Sequence, residues 1–171
     1  MKMHAAGSVW FKFGLVVTLL ASALYYLVWV APYSNQRLLT VNLPPIDRVQ
    51  IEAVDSQGSE EVKVILASRD LAGTDAQSFA NLWRSQWYGY SKEDQVFCHN
   101  PAYRVRFFDK NTLLLEATVC FKCMNIYFLK SDLVNDKNLF TVVFSSGPSS
   151  DKFRTYLSRL FPGHDKEASL L

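Results

Sequence analysis

The chain has 171 residues, 49% of them hydrophobic and 20% charged, with a formal net charge of +2. That length suits one domain with an appendage. All 16 acidic residues lie beyond position 46, and 16 of the 18 Lys and Arg lie beyond position 12. The main body is therefore formally neutral and lacks the basic stripe of a nucleic-acid binder, so no nucleic acid is expected as a partner.

From Phe13 to Ala31 nearly every residue is apolar, and the only ionisable side chains between Phe13 and Gln36 are tyrosines. At ~1.5 Å per residue this stretch would cover roughly 28 Å as a helix, close to the ~30 Å hydrocarbon core of a bilayer. Trp10 and Trp29 suit the two interfacial belts, and Pro32 stops the helix. The pattern predicts an uncleaved transmembrane anchor, a signal anchor, over residues 10–31. A signal peptide cut after Ala31 would place Trp29 where a small residue belongs, and a cut after Ala23 would strand Leu24 to Val30 as an apolar tail. Lys2 and Lys12 precede the helix whereas only Arg37 closely follows it. The positive-inside rule then makes residues 1–9 cytoplasmic and puts the domain outside. The expected location is a bacterial inner membrane, single-pass, with the domain facing the periplasm or cell exterior and the lipid bilayer as a partner.

Residues 32–46 contain Pro32, Pro44 and Pro45 and read as a semi-extended linker to a domain over 47–162. Arg48 to Val54 and Glu61 to Leu66 alternate as half-buried strands around the turn Ser56-Gln57-Gly58-Ser59, which predicts a hairpin. Thr74 and Gln77 have capping-box spacing, and Phe79, Leu82, Trp83 and Trp87 fall on one helical face. Such an aromatic stripe usually belongs to a core. Trp83, Arg84, Trp87, Tyr88 and Tyr90 nevertheless form a candidate interface segment, because aromatics with Arg are typical interface anchors.

Ala102 to Phe108 and Leu113 to Phe121 are expected to pair as strands. Asn125 to Leu129 extends the second, and Leu139 to Ser145 forms another. Ser149 or Ser150 should cap a last helix whose Phe153, Leu157, Leu160 and Phe161 share a face, ended by Pro162 and Gly163. Residues 163–171 read as a flexible tail. The expected fold is thus α+β, in the order β-β-α-β-β-β-α: about five antiparallel strands with two helices behind the anchor.

Three cysteines and one histidine cluster in Cys98-His99-Asn100-Pro101 and Cys120-Phe121-Lys122-Cys123. If Lys110-Asn111 is a two-residue hairpin loop, Asp109 faces Thr112, and the regular ladder puts Cys98 opposite Cys123. Cys98 and Cys123 then share one face while His99 and Cys120 share the other. The leading reading is a Cys98–Cys123 disulfide, which would close about 26 residues and stabilise by roughly 3–4 kcal/mol. A one-residue bulge would change the partner. Three further readings compete: a metal site of Cys98, His99, Cys120 and Cys123, reduced structural cysteines, and thiol–disulfide chemistry at the Cys-x-x-Cys. In the regular register Glu116 faces Val105, away from Arg104 and Arg106.

With Cys98, Pro101, Cys120, Phe121, Cys123 and Asn125, this region resembles uncharacterised bacterial proteins that carry a Cys-x-x-Pro … Cys-Phe-x-Cys hairpin. The resemblance covers about thirty residues and implies a recurring building unit, not an activity. No nucleophile elbow, phosphate loop or dinucleotide fingerprint occurs. No catalytic residue and no cofactor are therefore assigned. The expected function is that of a membrane-tethered, extracytoplasmic interaction protein, an accessory subunit of a larger membrane protein complex. A metal-binding or thiol-redox domain is the alternative.

Overall fold

A computed structural model describes residues 6–26, 37–55, 64–86, 88–90, 99–134, 141–144 and 147–164. The chain divides into two compact units, Met1–Arg37 and Leu38–Leu171.

The first unit holds helix α1, Ala6–Tyr25. Its aliphatic side chains are exposed, Leu15, Leu19, Leu20 and Leu24 each by more than half. The predicted transmembrane anchor is corrected here. Among the described residues no helix is long and apolar enough to cross a membrane. Lys12 interrupts α1, and the apolar part after it, Phe13 to Tyr25, covers only about 20 Å at ~1.5 Å per residue. Trp29 lies outside the described residues.

The second unit is built on a seven-stranded antiparallel sheet, two strands more than the five expected. Its strands are β1 (Arg48–Asp55), β2 (Val64–Ala72), β3 (Tyr88–Tyr90), β4 (Tyr103–Asp109), β5 (Thr112–Cys120), β6 (Asn125–Ser131) and β7 (Thr141–Phe144). They lie in the order β2-β1-β4-β5-β6-β7-β3. Helix α2 (Gly73–Arg84) leads from β2 towards β3, and helix α3 (Pro148–Leu160) follows β7. The α+β class and two of the hairpins are as expected. The extra strands come from splitting 112–131 at a turn and from the three-residue β3.

Alternation gives the sheet two unlike faces. Val49, Ile51, Tyr103, Val105, Phe107, Leu115, Ala117, Val119, Ile126 and Phe128 are buried with the apolar sides of both helices. Trp83 of α2 meets Phe107 and Phe153 edge-on at centroid distances of 5.1 and 6.0 Å, and Phe79 lies 5.5 Å from Tyr156 of α3. The segment expected to be a linker belongs to this core from Leu38 onward. Leu39, Leu43 and Ile46 are buried, spaced as i, i+4, i+7. Trp83 Nε1 donates to Leu39 O, and Arg84 donates to the carbonyls of Leu43 and Pro44 at 3.0 and 3.1 Å. Proline supplied the extended backbone there, but burial of three aliphatic side chains decided its place.

Both helix starts differ from the capping predicted. α2 begins at Gly73, φ +56°, whose N–H donates to Asp47 O, and Gln77 instead donates to Ile46 O. α3 begins after Gly147 with Pro148 in its first turn, a position where the missing proline N–H carries no penalty. Ser150 Oγ accepts from Gly147 N at 3.0 Å. His164, expected in the flexible tail, is held, with its Nε2 2.8 Å from Ala102 O and its ring edge-on to Tyr103; residues 165–171 lie outside the described residues.

Candidate functional site

The β4–β5 hairpin turns at Lys110 and Asn111, both at positive φ (47° and 74°), and Asp109 pairs with Thr112 as the sequence predicts. One bulge between Phe107 and Phe108 then shifts the register. Phe108 pairs with Leu113, but Phe107 pairs with Leu115. Every pair beyond it is displaced by one, so Glu116 stands opposite Arg106 and not Val105.

This shift creates an ion-pair network on the sheet face away from α2 and α3. Glu52 accepts from Arg104 Nε at 2.5 Å and from Arg106 Nη1 at 3.3 Å. Glu116 Oε1 lies 3.1 Å from Arg106 Nε and 3.7 Å from Arg104 Nη1. Gln50 Oε1 accepts from Arg106 Nη1 at 3.0 Å. Two positive and two negative groups therefore balance, with the Glu52 side chain only 6% exposed. The expectation that Glu116 sits apart from these arginines is overturned by the bulge.

Beside this network lies the cysteine-hairpin region. β5 ends at Cys120, and Phe121–Met124 form a tight turn with Met124 at φ 51°. The ladder thus stops short of the predicted pairing between Cys98 and Cys123. Cys120 is fully buried with a free thiol, and its Sγ accepts from Cys123 N at 3.2 Å. Cys98 lies outside the described residues.

His99, next to Cys98 in sequence, is buried over the start of β6. Its Nδ1 lies 2.7 Å from Asn125 Oδ1 and its Nε2 lies 2.7 Å from Thr118 Oγ1. The amide oxygen only accepts, so Nδ1–H donates to it; in the neutral ring Nε2 accepts from the Thr118 hydroxyl. The imidazole stacks on Tyr127, with centroids 3.9 Å apart and planes 5° from parallel. His99 precedes β4, so its approach to Thr118 comes from the irregular segment before the strand and not from the ladder alternation that the sequence reading used.

A hydroxyl, an imidazole and a carboxamide in series have the connectivity of a nucleophile, base and orienting group. Thr118 and Asn125 are, however, fully buried, as polar groups held by hydrogen bonds in a structural pin are. Both ring nitrogens of His99 are committed to protein partners. Among the described residues no group of three or more His, Cys, Asp or Glu side chains is arranged to hold a metal ion.

The interface candidates divide as well. Trp83 is fully buried, so it is corrected from an interface anchor to a core residue. Arg84 fastens the 43–44 backbone and Asn81. Tyr88 and Tyr90 lie in β3 opposite Phe144 and Val142, and Trp87 lies outside the described residues. The sheet edge was not singled out by sequence reasoning. Among the described residues β2 pairs only with β1 and exposes Val64, Ile65 and Leu66, although the run of three aliphatic residues was visible as a signal.

No protein-family model, curated protein or solved structure matches the chain.

Proposed function

We propose that the second unit is an extracytoplasmic interaction domain, an accessory subunit without catalytic chemistry of its own. The observation that carries this reading is the edge of β2. Among the described residues this nine-residue strand has one hydrogen-bonded neighbour, and it exposes Ile65 and Leu66 by 51% and 56%. Soluble domains usually blunt such an edge by shortness, Lys, Pro or inward charge. Here the charges Arg69 and Asp70 occupy the far half, and the apolar half carries a bulge opposite Ala53 and Val54. An edge of this kind suits addition of an extended strand from a partner.

A Cys98–Cys123 disulfide would suit the extracytoplasmic part, because disulfides persist in oxidising compartments. Cys98 is the remaining cysteine of three, and the pinning of His99 favours Cys98–Cys123 as the pair. The membrane tether is not carried into this proposal.

Two measurements on the full chain test it. Thiol titration under denaturing conditions should give one thiol per chain without reductant and three with it. Three without reductant would remove the disulfide and the compartment argument. Cross-linking and affinity capture should then be compared between wild type and Ile65→Lys, with circular dichroism to verify folding. Loss of the captured species in a folded Ile65→Lys protein supports docking at β2. Equal capture, or wild type that remains alone and monomeric, overturns it.

A further inference from the structure

We draw no further inference here: the strongest candidate, the open groove between the start of α2 and residues 45–47, lined by Asp47, Thr74, Gln77 and Asp109, rests on a helix N-terminus and a pair of carboxylates with no second observation pointing to a ligand.

Discussion

Arg106 and Glu116 stand directly opposite one another on β4 and β5, with Nε 3.1 Å from Oε1. The same guanidinium reaches Glu52 on β1, so one arginine ties three adjacent strands together across the sheet. Arg104 repeats the arrangement from two residues away, joining Glu52 and Glu116. The arrangement is held by mutual pairing, since each charge would be poorly solvated if its partner were removed.

Glu52→Ala should therefore destabilise the domain by about 3 kcal/mol, because it leaves two arginines largely desolvated and underpaired. Asp70→Ala breaks an exposed pair with Arg48 and should cost less than about 1 kcal/mol. Urea unfolding with unchanged slope gives both values. Equal effects for the two variants would show that the network contributes no more than a surface pair.

His99→Ala should remove a hydrogen bond from the Thr118 hydroxyl and one from Asn125 Oδ1, each at about 1–3 kcal/mol, together with the Tyr127 stack. A total of about 2–6 kcal/mol is expected. The loss should be local as well as global, so amide exchange at Ala102, whose N–H donates to Val119 O, should quicken more than at Ile51. Uniform exchange across both strands would contradict the pinning role.

Trp83→Ala should cost about 3–5 kcal/mol by opening a cavity among Phe107, Phe128 and Phe153. It also frees Leu39 O from its indole donor, so proteolysis in the 38–46 segment should become easier. A soluble, equally stable Trp83→Ala protein would return this residue to the surface.

Tyr156 holds its proton more tightly than an ordinary tyrosine, first because burial disfavours the phenolate and second because Asp75 repels it. A folded value raised above the usual value near 10 gives stability that is complete below pH 10 and lost as pH rises through the folded value. Alkaline unfolding should therefore be delayed in Tyr156→Phe relative to wild type. Asp75→Asn should bring a smaller delay of the same sign. Coincident alkaline transitions for all three proteins would refute the assignment.

β1, β4, β5 and the 110–111 turn were legible in the sequence; their register, the turn at 121–124 and the short β3 were not. Lys110-Asn111 marked the hairpin correctly because few other residues there tolerate positive φ. The bulge stayed hidden because Leu113, Leu114 and Leu115 are interchangeable in polarity, so adding one residue among them breaks no apolar pattern. The same holds for Val64, Ile65 and Leu66 beside the β1–β2 bulge. The partners of His99, Thr118 and Asn125, were hidden because His99 lies outside the ladder and the turn at 121–124 was not anticipated. The 38–46 segment was misread because its prolines outweighed the spacing of Leu39, Leu43 and Ile46.

The bulge at Phe107 and Phe108 lets two successive β5 residues face the same layer, since Leu115 is buried in the core and Leu114 packs against it. The flanking pairs, Phe108 with Leu113 and Phe107 with Leu115, are already neighbours on β4, so removing Leu114 would close the ladder and leave Arg106 opposite Glu116. The hairpin can therefore lose that one residue without turning the charged face inward, whereas an insertion on either side of it without a second bulge would reverse every face beyond.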